Sequence, residues 1–160
     1  ATDVAHVFAA RRAIEAAVVE HAVARASRAQ ITELRRLVRD EEAAYRSGDR
    51  AAGLELSLAF HRRLGALCGN PVLERYLTEL VLQTSLAVAL YERPDRVHAH
   101  ADHLALVGAI AKRDAKRSVR LMAEHLAALE RELDVGTAAA PTLAATFGYD
   151  RTPGRAAPPR

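Results

Sequence analysis

Three histidines stand on separate stretches of the chain in which apolar residues recur at helical spacing. His61 lies in "SLAFHRRLGALC", His103 in "DHLALVGAI" and His125 in "RLMAEHLAALE". In each stretch the histidine shares a helical face with leucine, valine or methionine side chains, so each imidazole is expected to point at a buried core. Neutral imidazoles that converge in a dry cavity favour a divalent metal. Three ring nitrogens with one open position are the ligand set of zinc sites that accept a further ligand.

The alternative for each histidine is an ordinary core residue that satisfies one hydrogen bond and binds nothing. Spacing alone does not show whether three helices bring their histidines together, so the residues leave both interpretations open. His100 lies one turn before His103 and could join the same group of ligands. In "VLQTSLAVAL", Gln83, Thr84 and Ser85 interrupt an apolar run. They predict either a polar part of a cavity wall or an exposed stripe.

The histidines must be positioned by helices, because helical start and stop signals divide the first 135 residues and no stretch alternates as a strand would. The start signals are the S-x-x-Q capping box at Ser27, the caps Asp49 and Asp114, and Asn70 before Pro71. The predicted helices run from about Val4 to Arg25, from Ser27 to about Arg46, from Asp49 through Cys68, over roughly 71–91, over about 95–112, and from Asp114 to near Val135. Short connections between them predict antiparallel neighbours, hence an all-α bundle of about six to seven helices.

Length and composition predict one folded domain. The 160 residues suit a single core, and 50% of them are hydrophobic. We expect the helical bundle to occupy residues 1–135. Residues 136–160, rich in alanine, threonine, proline and glycine and ending "RTPGRAAPPR", are expected to form a flexible C-terminal tail.

The charge pattern and the single cysteine narrow the function classes. The net charge is +3, but basic residues alternate with acidic ones, as in "LRRLVRDEEAAYR", which is typical of a solvated helix face and gives little support to nucleic-acid binding by this chain alone. Cys68 cannot form an intramolecular disulfide and is predicted to be a core residue. No apolar run approaches the roughly 18 residues that a membrane helix needs. A cytoplasmic protein without a membrane partner is the simplest expectation.

Three stretches together resemble the FCD domain, the effector-binding C-terminal half of FadR-type regulators in the GntR family of transcription factors. They are "RRAIEAAVVEHAVARAS", "LSLAFHRRLGALCGNPVLERYL" and "DHLALVGAIAKRDAKRSVRLMAEHL". The resemblance covers roughly residues 5–135. It implies an antiparallel helical bundle that forms a homodimer, with a central cavity in which many members hold a metal by an Asp and three His.

The resemblance carries the three histidine ligands onto His61, His103 and His125, whereas the Asp position is Ser57 here. A serine hydroxyl is neutral and a weak ligand. Either the three imidazoles keep a divalent metal, most simply zinc with nickel and manganese as alternatives, and a water takes the fourth position, or the site binds no metal and the histidines bind the effector directly. Arg11 matches a family arginine that points toward the pocket, where its guanidinium could hold a carboxylate.

What the resemblance implies is an effector-sensing and dimerisation domain whose ligand is a small anionic metabolite, expected to be a carboxylate. The predicted effector contacts are Arg11, Ser57, Gln83 and Thr84. DNA would be bound through an N-terminal winged helix-turn-helix that this chain lacks. A metal-dependent enzyme is the rival, but no general base stands out beside the histidines and we predict no catalysis. A ligand-free dimerisation bundle is the third hypothesis.

Overall fold

A computed structural model describes residues 2–91 and 101–133, and these residues form six α-helices. They are α1 (Thr2–Arg25), α2 (Arg28–Arg46), α3 (Arg50–Leu67), α4 (Pro71–Tyr91), α5 (Ala101–Ala111) and α6 (Ala115–Glu132). The predicted all-α bundle is confirmed. The expected start of the fifth helix near residue 95, His100 and the expected tail lie outside the described residues.

The helix starts follow local hydrogen bonds that the sequence signals predict. Ser27 and Gln30 form the reciprocal capping box of α2. Asp49 accepts from the Ala52 amide at the start of α3, and Asp114 accepts from the Arg117 amide at the start of α6. These side chains satisfy amides that have no partner within the helix, and so they determine where each helix begins.

Helix α1 runs through the middle of the bundle and packs against α3, α4, α5 and α6. Its buried residues Val18, Val19 and Ala22 belong to the main core, which also contains the predicted core residue Cys68. Helices α2 and α3, α3 and α4, and α5 and α6 pack against each other across short turns, as predicted. Among the described residues, α2 packs mainly against α3 and α5, so the prediction that short connections join neighbouring helices is wrong for the two-residue link between α1 and α2.

Two turns bring the ends of the helices close together. Gly69, between α3 and α4, has φ +69°, and a Cβ at this position would lie 2.5 Å from Nε of Arg25. The positive φ favours glycine here, and the Arg25 side chain would have to move to admit a Cβ. Arg113, between α5 and α6, also has a positive φ of 60°, and its guanidinium donates to the carbonyls of Val23 and Ala26 at the end of α1.

Within the described residues, no helix is long and apolar enough to cross a membrane.

Candidate metal centre

The three predicted histidines converge from three helices. His61 lies on α3, His103 on α5 and His125 on α6, and one ring nitrogen from each lies within 4.8 Å of the others. His61 and His103 are fully buried and His125 is partly buried. Histidines that are unrelated core residues would not meet in this way. The structure therefore shows the convergence that the sequence spacing left open.

A carboxylate oxygen lies within 4 Å of the Nδ1 atom of each histidine. Glu15 Oε2 lies 2.9 Å from Nδ1 of His61, and Glu41 Oε2 lies 2.8 Å from Nδ1 of His103. Asp102 Oδ2 is 3.9 Å from Nδ1 of His125, which is too long for a hydrogen bond. Glu15 and Glu41 come from α1 and α2, and both are completely buried.

Glu15 and Glu41 are not among the predicted site residues, although the sequence carries a signal for each. Glu41 continues the helical face of Ile31, Leu34 and Val38, which are all buried in α2. Glu15 likewise lies on the buried side of α1. A carboxylate on the apolar face of an amphipathic helix requires a buried partner, and this requirement is the signal that could have indicated a site.

Hydrogen bonding behind the rings determines which nitrogen faces the centre. An ionised carboxylate only accepts hydrogen bonds, so Nδ1 of a histidine bonded to it carries the proton and Nε2 keeps its lone pair. Nε2 of His103 and Nε2 of His125 are 3.1 Å apart. Because Nε2 of His103 keeps its lone pair, Nε2 of His125 at this distance either donates a proton to it or shares a cation with it.

The aromatic ring of Phe60 holds two of the imidazoles in place. It stacks on His103 with ring centroids 4.3 Å apart, and it meets the edge of His61 at 5.3 Å. Phe60 is completely buried in the main core. The positions of these two rings therefore depend on core packing as well as on their hydrogen bonds.

Arg11 is tied into the same buried network. Its Nε donates to Oε1 of Glu15 at 2.7 Å and its Nη1 donates to Oγ1 of Thr84 at 2.6 Å. The Thr84 hydroxyl in turn lies within hydrogen-bonding distance of the Leu80 and Val81 carbonyls of α4. A continuous chain of polar contacts thus joins α4 through Arg11 and Glu15 to His61.

The buried network moves the pKa values of two of its members. Burial lowers the pKa of His61 to about 4, assisted by the charge of Arg11 and opposed by Glu15. Burial by itself would raise the pKa of Glu15, but the charges and hydrogen bonds of His61 and Arg11 lower it by more. The resulting pKa is about 2. At neutral pH, Glu15 is therefore ionised, and His61 is neutral with its Nε2 lone pair available to a ligand.

These shifts predict that the domain without bound metal loses stability in mild acid. Between pH 6.5 and about 4 the unfolded chain binds a proton on His61 that the folded chain does not, so the free energy of unfolding falls as the pH falls through this window. The loss from this group is at most about 3 kcal/mol. Thermal unfolding in the presence of a chelator should show this loss as a lower stability at pH 5.0 than at pH 7.5. In a His61→Gln variant the difference in stability between the two pH values should be smaller. Equal pH dependence in both proteins would contradict the prediction.

A small cavity adjoins the histidines. Its volume is about 50 Å³, and its wall includes Arg11, Ser57, His61, Ser85, Asp102 and His125. Two of the four predicted effector contacts, Arg11 and Ser57, therefore line it. Gln83 and Thr84 are buried in α4 and are not part of this wall, although Thr84 contacts Arg11. The role of these four residues in effector binding stays a prediction.

The donor set fits a divalent metal. Zinc held by imidazoles has bonds of about 2.0–2.1 Å, which places tetrahedral ligand nitrogens roughly 3.3 Å apart. The 3.1 Å between the Nε2 atoms of His103 and His125 is close to that spacing, and small rotations would bring the third nitrogen into range. His61, His103 and His125 would hold the ion, and the cavity beside His61 and His125 would give water or a ligand access to it.

Comparisons with known proteins agree with this architecture. A search of curated proteins found no match. Among solved structures, the chain is similar to a Streptococcus agalactiae GntR with a TM-score of 0.69 and 23% identity over 80% of this chain, a likeness that shows the fold. The chain spans 58% of the length of that structure. The family model of the FCD domain matches residues 6–128, and this match over most of the chain shows that the protein belongs to the FCD domain family.

Proposed function

We propose that this FCD domain senses a small anionic metabolite, a carboxylate by class, at a divalent metal held by His61, His103 and His125. The observation that carries the proposal is the convergence of the three ring nitrogens beside a cavity whose wall includes His61 and His125. Zinc suits three imidazoles and an open position, and nickel and manganese are the alternatives. Membership of the family supports a regulatory effector-binding role.

The cavity favours a short anionic group. Its volume of about 50 Å³ holds only a few water molecules, since one water needs about 10–15 Å³ by this measure. Arg11 and Ser57 on its wall offer a guanidinium and a hydroxyl to an anion, while Asp102 and Glu132 on the same wall carry carboxylates. A divalent ion bound by three neutral ligands would keep its double positive charge and attract an anion to the cavity. The buried part of the effector would therefore be a carboxylate group, with the remainder reaching out of the cavity.

The wider assignment is a cytoplasmic transcription regulator that works as a homodimer. A GntR-type protein would bind DNA through an N-terminal domain, and an effector that favours one arrangement of the bundle would change how two such domains are spaced. Helix α4 supports dimerisation, because Val72, Tyr76, Leu82 and Leu90 expose apolar side chains along it. A second copy covering this surface would remove these side chains from water.

Metal content tests the proposal. Protein purified without an affinity tag should contain about one equivalent of divalent metal per chain after incubation with zinc and desalting, as measured by mass spectrometry. His61→Ala should lose most of this metal, because two imidazoles hold zinc much more weakly than three. His21→Ala removes an exposed imidazole from α1 and should retain it. Saturable carboxylate binding without turnover would favour the sensor over a metal-dependent enzyme.

Two outcomes would contradict the metal-centred model. If the wild-type protein binds no zinc at micromolar concentrations, the histidines do not form a metal site, and direct binding of the effector by the imidazoles becomes the better hypothesis. If His61→Ala and His21→Ala lose equal amounts of metal, the ion is bound elsewhere on the chain.

A further inference from the structure

The proposed centre has no negatively charged ligand of its own. Three neutral imidazoles leave the double positive charge of a divalent ion uncompensated, and Ser57 adds only a hydroxyl to the cavity wall. Charge beyond the ligands themselves can supply part of the compensation, because buried groups interact strongly in a medium of low dielectric constant. The acidic residues behind the histidines are the groups that could act in this way.

Glu15 and Glu41 have the geometry of such residues. Each is completely buried and places one oxygen within 2.9 Å of the Nδ1 atom of its histidine. Each pair also joins different helices, α1 to α3 and α2 to α5. A carboxylate in this position fixes the orientation of the ring, keeps the proton on Nδ1 and raises the basicity of Nε2.

We infer that Glu15 and Glu41 are positioning residues of the metal centre, which hold Nε2 of His61 and His103 toward the ion and place negative charge one ring away from it. This inference rests on the proposed metal site. Ser57 provides no negative charge among the ligands. The inference assigns that charge to the two glutamates behind the histidine rings. Neither glutamate touches the ion.

Arg11 fixes the orientation of Glu15. Because Arg11 occupies Oε1 of Glu15, the second oxygen is directed at His61 and the carboxylate cannot turn away. A glutamine at position 15 has one carbonyl oxygen and one amide nitrogen for these two donors. If the glutamine oxygen accepts the hydrogen bond from Arg11, the glutamine NH2 group donates to Nδ1 of His61. The ring proton must then lie on Nε2, so Nε2 no longer offers a lone pair to the ion.

The test compares zinc affinity among variants of nearly equal volume. Glu15→Gln and Glu41→Gln should each weaken zinc binding by about 10–100-fold, as measured by competition with a chromophoric chelator at pH 7.5. Glu33→Gln is the matched control, because Glu33 makes the same charge change at a more exposed position where it pairs with Arg63. It should leave the zinc affinity unchanged.

The tautomer of each ring separates positioning from general stability. Imidazole ¹⁵N chemical shifts of the metal-free protein should assign the proton to Nδ1 of His61 and His103 in the wild type. In Glu15→Gln the proton of His61 should move to Nε2, while that of His103 stays on Nδ1. A purely structural role would change the melting temperature of the variant and leave both tautomers as they are.

The outcomes distinguish this inference from the proposed function. If wild-type protein binds zinc and both glutamine variants bind it equally well, the positioning role is wrong while the metal site remains. If wild-type protein binds no zinc, both proposals fail. Circular dichroism identifies a variant that does not fold. Should Glu15→Gln fail to fold because of its bond to Arg11, Glu41→Gln decides the result alone, since unchanged affinity in that variant overturns the inference.

Discussion

Replacing Phe60 by alanine should lower the free energy of unfolding by about 3–5 kcal/mol and also loosen the histidine cluster. The side chain is completely buried and contacts both His61 and His103. Its removal therefore leaves a cavity in the main core and takes away the surface that holds two imidazoles in place. Urea unfolding of the metal-free protein measures the first effect, and zinc competition measures the second.

Leu77→Ala is the matched control for Phe60→Ala. Leu77 on α4 is equally buried in the same core cluster, and its truncation should cost about 2–5 kcal/mol. It should leave zinc affinity nearly unchanged, because the ring contacts around the histidines remain. Equal losses of zinc affinity in the two variants would show that Phe60 acts only through overall stability. A change below about 1 kcal/mol in Phe60→Ala would contradict the predicted packing role.

Arg11→Met should destabilise the domain by about 3–5 kcal/mol, the usual cost of leaving a buried charge without its partner. Methionine keeps much of the aliphatic volume but removes the guanidinium that bonds to Glu15 and Thr84. Glu15 then lies in the core without the guanidinium that lowers its pKa. Thermal and urea unfolding of the metal-free variant at pH 7.5 measure the effect.

The double variant Arg11→Met, Glu15→Leu tests whether the loss comes from the unpaired charge. Removing both members of a buried ion pair is often close to neutral, so the double variant should be more stable than Arg11→Met alone. A double-mutant cycle with Glu15→Leu gives the coupling energy directly. If the two single losses simply add in the double variant, Arg11 and Glu15 do not act as a pair.

The helical framework was predictable because its signals are local. The box at Ser27, the caps Asp49 and Asp114, and Asn70 act within one turn, and each starts a helix where the sequence indicated. The observed ends differ by a few residues from the predicted ones, as with α1, which begins at Thr2 instead of Val4. Fraying and irregular final turns make such boundaries hard to define from sequence.

The candidate site was predictable only in part. The helical face of each histidine indicated that it would be buried, and His61, His103 and His125 do meet. The acids behind them were not predicted, because their partners lie 46 and 62 residues away along the chain. Arg11 and Glu15, at spacing i and i+4, have the pattern of an ordinary surface ion pair. Only tertiary packing shows that this pair is buried beside an imidazole.

The same long separations affect the order of events in folding. Helices α2 and α3, and helices α5 and α6, can pair early because short turns join them, whereas the contacts of Glu15 with His61 and of Glu41 with His103 close loops of 46 and 62 residues. Closing longer loops costs more chain entropy, so we expect these two contacts to form after the helical hairpins. A metal ion that needs all three histidines would therefore bind after the helical hairpins have formed and would not nucleate them.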